Sequence, residues 1–270
     1  GAAGLETIAS KDNPKVRSYI KLASQKKERM ASGRFVLEGV KLLEEAVWSG
    51  LGIESVFITE GCLESGREEL GVLRELSEKT FLVTGAAADR IFQSQSPQGV
   101  GAVCRIPVRE PVLTDQGRYL GLWNIQDPGN VGTMIRTAEA LGFDGVIASE
   151  NSCDLFSPKT VRAAMGALFR MPLLRTDMAL FLKENKGVLH SFASVVDSSA
   201  PLLTETEFPG GSLMLIGNEG NGLSPEQVAL CDERITIPMK GRTESFNAAM
   251  AATILMWEMT RSHGSSHGGF

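Results

Sequence analysis

Histidine is scarce in this 270-residue chain. Only His190, His263 and His267 occur, and the last two sit in a Ser/Gly/His-rich end, Ser262–Phe270, that reads as a frayed tail. Triads built on a histidine base and histidine-ligated metals therefore have few candidates, and no metal is expected. Cysteine is sparse too. Cys62, Cys104, Cys153 and Cys231 stand far apart without a C-x-x-C, which disfavours a disulfide framework or zinc site and suits thiols in a reducing compartment. The longest apolar run, Ala248–Trp257, is too short to span a bilayer and reads as a buried helix. No charged-then-apolar leader opens the chain, so a cytoplasmic protein without a membrane partner is expected. Two phosphate-binding fingerprints are also missing. Neither G-x-x-x-x-G-K-[ST] nor a G-x-G-x-x-G entering a helix with a distal acid occurs, which weakens a nicotinamide-dependent oxidoreductase.

Charge is unevenly placed. The net value of −5 weakly opposes a nucleic-acid partner, yet Lys11, Lys15, Arg17, Lys21, Lys26, Lys27, Arg29 and Arg34 face only Asp12 and Glu28 between positions 11 and 34. Clustered positive charge is what a phosphate backbone demands. Taken alone, such a run is more often the mark of a solvated helix face.

At 29.0 kDa, one large or two modest domains are expected. Asp12 or Asn13 before Pro14 can cap a helix carrying Val16, Tyr19/Ile20 and Ala23 at helical spacing. Apolar runs predict strands at Arg34–Leu37, Ile53–Thr59, Thr80–Val83 and Gly99–Ile106, with helices at Val40–Trp48, Glu68–Glu78 and Ala86–Gln93. These make a small α/β domain over residues 5–107. Pro107, Pro111 and polar Thr114–Arg118 mark a linker over 108–118. From 119 to 262, strand Tyr119–Asn124, helix Val131–Leu141 and strand Asp144–Ala148 close a βαβ unit. A helix over Lys159–Leu168, a strand over Met171–Leu174 and a helix over Asp177–Lys186 follow. Further strands at Val188–Val195, Leu213–Ile216 and Arg234–Ile237 complete an α/β fold with a mainly parallel sheet. Residues 263–270 are left as a flexible tail.

Three polar blocks lie at the ends of those apolar runs. The first is Asn124-Ile-Gln-Asp-Pro-Gly-Asn130-Val-Gly132-Thr-Met-Ile-Arg136, where a strand-end loop enters a helix. Backbone N–H groups at such a turn favour a phosphate, and Arg136 falls off the apolar stripe of Val131, Ile135, Ala138 and Leu141. The second is Ser157-Pro-Lys-Thr-Val-Arg-Ala-Ala-Met-Gly166-Ala. The third runs from Gly217-Asn218-Glu219-Gly220-Asn221-Gly222 through Ile237 to Glu244-Ser245-Phe246-Asn247. Loops converging on strand ends are how an α/β sheet builds a ligand crevice.

In this order the three blocks resemble the motifs of the SpoU (TrmH-like) branch of the SPOUT RNA methyltransferases, over roughly Leu120 to Arg261. Phe35-Val-Leu-Glu38-Gly39 and Ser96-Pro-Gln-Gly99-Val are similar to the small substrate-binding domain that many such enzymes carry in front. The resemblance implies a trefoil-knotted domain that dimerises, binds S-adenosylmethionine (AdoMet) and methylates a ribose 2′-hydroxyl of RNA. A separate binding domain favours ribosomal over transfer RNA as the partner. A catalytically silent RNA-binding protein of the same fold is the alternative, opposed by the intact motif residues.

By that resemblance Arg136 is the catalytic arginine, with Asn130, Glu219, Ser245 and Asn247 as polar partners. Gly217, Ile237 and Phe246 then line the cofactor, largely through backbone atoms, with Phe246 where the family has leucine. An arginine is a poor base. Either contact with substrate partly deprotonates Arg136, or Arg136 polarises the hydroxyl and holds a phosphate that takes the proton. Ser245 or Asn247 could instead cap the last helix, and Glu219 could be a solvated loop acid. Lys11, Lys15, Arg17, Lys26, Lys27 and Arg29 are the expected RNA contacts. The last helix is apolar almost all round, through Ala249, Met250, Thr253, Ile254, Met256 and Trp257, and a homodimer interface is its natural cover.

Overall fold

The computed structural model describes residues 4–243 and 245–262, so Glu244 and the predicted tail over 263–270 lie outside the described residues. Two compact units emerge. One comprises residues 1–107 together with Phe156–Phe169, the other residues 108–155 and 170–270.

The first unit is built on β1 (Glu6–Ile8), α1 (Pro14–Ser24), α2 (Lys26–Ser32), β2 (Arg34–Glu38), α3 (Val40–Trp48), β3 (Ile53–Ile58), α4 (Glu60–Leu63), β4 (Thr80–Val83), α5 (Gly85–Ile91) and β5 (Val100–Arg105). The sheet runs β1-β4-β3-β5-β2, with β5 antiparallel to both neighbours and the other pairs parallel. α1 starts as its sequence predicts: Pro14 occupies the first turn and the Asn13 side chain accepts from the Lys15 N–H at 2.9 Å. Its buried face, Val16, Tyr19 and Leu22, packs with Phe57, Phe81, Ala87 and Ile91. Tyr19 fits because Gly101 has no Cβ, which would lie 2.6 Å from the Tyr19 hydroxyl. That hydroxyl donates to the Leu37 carbonyl at 3.3 Å, and burial pushes its pKa up, so it stays a neutral donor.

Three expectations change here. The predicted helix over Glu68–Glu78 is a 3-10 segment, Glu68–Glu75, followed by a second over Ser77–Lys79, and neither buries a residue. β1 and α2 were not predicted; three residues and seven are too short to show a period. The segment Phe156–Phe169, placed by the sequence in the second domain, packs with the first unit. Phe35 of β2 meets Phe156 at 5.1 Å and Phe169 at 5.9 Å between ring centroids. Within this segment the predicted single helix breaks into α7 (Pro158–Ala164) and α8 (Ala167–Arg170) at Met165, whose φ is +55°.

The second unit carries β6 (Arg118–Leu122), α6 (Pro128–Ala140), β7 (Gly145–Ser149), β8 (Leu173–Thr176), α9 (Met178–Glu184), β9 (His190–Ser194), β10 (Ser212–Ile216), α10 (Pro225–Ala229), β11 (Glu233–Ile235) and α11 (Ala248–Ser262). All pairings in its six-stranded sheet, β11-β9-β10-β6-β7-β8, are parallel. Central strands are buried throughout, as a sheet covered on both faces requires. The predicted linker is docked rather than free. Tyr119 donates to the Val112 carbonyl at 2.7 Å and accepts from the Thr114 N–H at 2.9 Å, and Pro111 is buried. From β6 the chain winds outward through β7 and β8, then returns to place β10 on the other side of β6. The order therefore reverses between β6 and β10, where a doubly wound sheet opens its crevice.

Candidate active site

The loops after β6 and β10 meet at that switch point and are tied together side chain to backbone. Asn124 stands in the left-handed region at φ +60°, its N–H donating to Ser149 Oγ at 2.8 Å. Asparagine tolerates this geometry better than most residues. The Asn124 carbonyl accepts from Asn218 Nδ2 at 2.9 Å, and Asn218 Oδ1 accepts the N–H groups of Gly220 and Asn221 at 2.9 and 3.3 Å. Gly217 is required by close approach, since a Cβ there would lie 2.4 Å from backbone atoms of Gly222 and Leu223. Gly222 closes the turn at φ +65°.

Glu219 is neither an idle loop acid nor a partner of Arg136. Its carboxylate accepts from the N–H of Gln126 at 2.9 and 3.2 Å and of Asp127 at 2.8 Å. Asp127 in turn caps α6, accepting from the Asn130 N–H at 2.8 Å with Pro128 in the first turn. This corrects the expected phosphate pocket at the start of α6. Two carboxylates already sit at that helix end, Asp127 on the Asn130 N–H and Glu219 on the N–H groups just before the helix, so an incoming phosphate would meet like charge. Asp127 was missed as a site residue, although Asp127-Pro128 repeats the cap-then-proline signal read at Asn13-Pro14.

The third block reaches the same place. Asn247 Nδ2 donates to Asn130 Oδ1 at 3.3 Å, while Asn247 Oδ1 accepts from the N–H groups of Ala249 and Met250 at 2.9 and 3.2 Å. Asn247 therefore caps α11 and ties that helix start to α6. Asn130, Glu219 and Asn247 are thus linked through one network, with Gly217 at its base. Ser245 and Phe246 are exposed beside Asn247. Ile237 follows β11, two strands from β10 in the sheet.

Arg136 lies exposed two turns into α6, with no hydrogen-bond or ion-pair partner among the described residues. The helix buries Val131, Gly132, Met134, Ile135 and Ala138. Of the predicted stripe, Leu141 is only partly covered, and Gly132 is buried with the rest. Cys153, whose N–H donates to the Ile125 carbonyl, is no nucleophile here. Burial, then Asp154, Glu219 and Asp127, push its thiol up to about 11.

The chemistry of the strand ends suits a cofactor held by main chain. Gly217 is buried and Ile237 half-buried, and neither donates its N–H to another described residue. Orphaned donors in such places call for a ligand or water. Among the RNA candidates, Lys11, Lys15, Arg17, Lys26 and Lys27 are exposed, with the Lys15 ammonium 5.0 Å over the Phe81 ring. Arg29 is corrected. It is 5% exposed and its guanidinium donates to the Leu22 carbonyl at 2.6 Å, so it closes the α1–α2 turn from inside rather than meeting RNA.

The solved AdoMet-bound rRNA methyltransferase from Sinorhizobium meliloti matches this structure with a TM-score of 0.84. The match has 27% identity and covers 97% of this chain and all of that one. The fold is that of a SPOUT methyltransferase, the trefoil-knotted α/β enzyme class that uses AdoMet. Residues 117–257 match the SpoU rRNA methylase family and residues 13–102 the MRM3-like substrate binding domain. The chain belongs to the SpoU rRNA methylase family. One relative is the 23S rRNA (guanosine(2553)-2'-O)-methyltransferase RlmP of Bacillus subtilis, 31% identical over 94% of this chain and 99% of its own length. Another is the 23S rRNA (uridine(2479)-2'-O)-methyltransferase of Streptomyces viridochromogenes, 29% identical over 92% and 90%.

Proposed function

We infer that this protein transfers the methyl group of AdoMet to a ribose 2′-hydroxyl of ribosomal RNA. The observation that carries the reading is the network joining Asn130, Glu219 and Asn247 around one crevice, with an unpartnered arginine on the same helix. When bound, AdoMet supplies an electrophilic methyl on a sulfonium. Gly217, Ile237 and Phe246 are the residues that would hold it, the first two through free main-chain groups. Asn247 and Glu219 fix the start of α6, and so the direction from which Arg136 projects. Arg136 acts as a cation that orients the ribose and holds an RNA phosphate through its planar fork. It polarises the 2′-hydroxyl, and the proton leaves to that phosphate oxygen rather than to the guanidinium. Both relatives named above act on 23S rRNA, which supports ribosomal over transfer RNA.

Two further assignments belong to this reading. The enzyme works as a homodimer through α11, because Phe246, Met250 and Trp257 remain 40%, 64% and 49% exposed while Ala249, Ala252, Leu255 and Met259 are buried. The small unit at residues 5–107 presents Lys11, Lys15, Arg17, Lys26 and Lys27 to the RNA backbone. The test is to incubate the protein with labelled AdoMet and separated rRNA and tRNA, then map the modified ribose. Label on a 2′-oxygen of rRNA supports the assignment; label on a base, or on tRNA alone, overturns it.

A further inference from the structure

The first unit contains a cavity of about 590 Å³ that no part of the methyl-transfer site uses. That volume lies within the ordinary range for small-ligand sites. Its apolar lining includes Ile20, Ala23, Val36 and Ile91 from α1, β2 and α5. Its polar wall includes Glu38 and Ser94, and the second sequence block, otherwise without a role, contributes Arg162 from α7.

Glu38 ends β2 and is held in register opposite Gly101. Ser94 Oγ donates to its Oε2 at 2.8 Å, which leaves Oε1 with no partner among the described residues. Arg162 is exposed and likewise has no partner among the described residues. The cavity thus combines an apolar floor, an anchored carboxylate edge that can only accept, and a free guanidinium. A bare phosphate would satisfy Arg162 but be repelled by Glu38. A ligand matching both must carry a flat apolar body, adjacent N–H donors and a negative charge. Among the nucleotides, guanine alone sets two neighbouring donors, N1–H and N2–H₂, on its Watson–Crick edge. Adenine and cytosine offer one amino group, and uracil a single N–H between acceptors. Proteins read single-stranded RNA by splaying out a base and bonding that edge.

We propose that this cavity is a recognition subsite for one unstacked guanine nucleotide of the substrate RNA, with Glu38 on the base edge and Arg162 on the phosphate. The proposal rests on the rRNA methyltransferase reading for its ligand class. The test uses the full chain, isotope-labelled, titrated with GMP, AMP, CMP, UMP and inorganic phosphate while resonances of the cavity residues are followed. GMP is expected to bind most tightly of the five. Arg162→Ala, an exposed site that leaves packing untouched, should weaken all four nucleotides by roughly tenfold. Glu38→Gln keeps the shape but loses the paired acceptors, and should bring GMP to the level of AMP. Equal binding of all five probes, or an unchanged GMP preference in Glu38→Gln, overturns the proposal. Methylation of rRNA is measured on the same preparations. Methylated rRNA with no GMP response sinks the subsite alone, whereas a GMP response without methylation of any RNA sinks the enzymatic reading and leaves the cavity's ligand standing.

Discussion

At the scale of single residues, free and committed side chains separate cleanly. Arg136 is free, so Arg136→Ala should leave the melting temperature and AdoMet affinity nearly unchanged. The methylation rate should fall about 10²–10⁴-fold, the usual contribution of assisted proton transfer. Single-turnover assays with calorimetry on the same samples check it, and a parental rate would remove Arg136 from the mechanism. The cysteines give the opposite case. Burial first of all raises all four thiols, Cys153 and Cys231 to about 11. At neutral pH the thiolate fraction of those two is therefore roughly 100-fold below that of an ordinary thiol. Alkylation by iodoacetamide at pH 7.5 should be correspondingly slow until denaturant is added. Sequence reading reached Arg136 and Asn247 through motif position alone; the structure leaves the first exposed and has the second cap α11. It misjudged Arg29 because a basic run has no mark for the one member that folds inward to bond a carbonyl. It left Glu219 open because its partners, the N–H groups of residues 126 and 127, lie some ninety positions away.

At the scale of elements, the loop Gly217–Gly222 and helix α11 each support a prediction. Gly217→Ala would press a Cβ against the backbone of Gly222 and Leu223, and backbone cannot yield as a side-chain end can. We expect a loss of about 1–3 kcal/mol in stability and a clear drop in AdoMet affinity, read by thermal melt and calorimetry. Unchanged affinity would mean the loop does not hold the cofactor. For α11, the exposed apolar residues predict a dimer at micromolar concentration, and Trp257→Glu or Met250→Glu should yield monomers or aggregates, because a charge would be buried unpaired. Sedimentation of the parent as a monomer would refute the interface. Long elements with strong periodicity, α1, α6 and the central strands, were legible to within about three residues at their ends. The break between α7 and α8 was not, since methionine is not a turn residue and only the packed structure holds Met165 at positive φ.

At the scale of the whole molecule, Phe156–Phe169 packs in the first unit although chain order sets it amid the second, an exchange that no linear division of the sequence displays. A simple cut therefore has a cost that the chain order conceals. Removing residues 1–107 strips Phe35 from Phe156 and Phe169 and exposes Val161, so the remainder should aggregate or melt early rather than survive as a clean cofactor-binding domain. The contribution of the basic segment is better tested in the intact chain. Lys26 and Lys27 are exposed on α2, whereas Arg29 of the same helix is internal, so the informative variant is Lys26→Ala/Lys27→Ala with Arg29 retained. Each phosphate contact removed should flatten the log–log dependence of rRNA affinity on salt by about 0.7–0.9. The double variant should thus lose up to roughly 1.4–1.8 of slope, with AdoMet affinity and melting temperature unaffected. Arg29→Ala, in contrast, should lower the melting temperature by releasing the Leu22 carbonyl while leaving the slope where it was. If the double variant keeps the parental slope, or if Arg29→Ala changes slope without changing stability, the RNA runs over a different face of this unit.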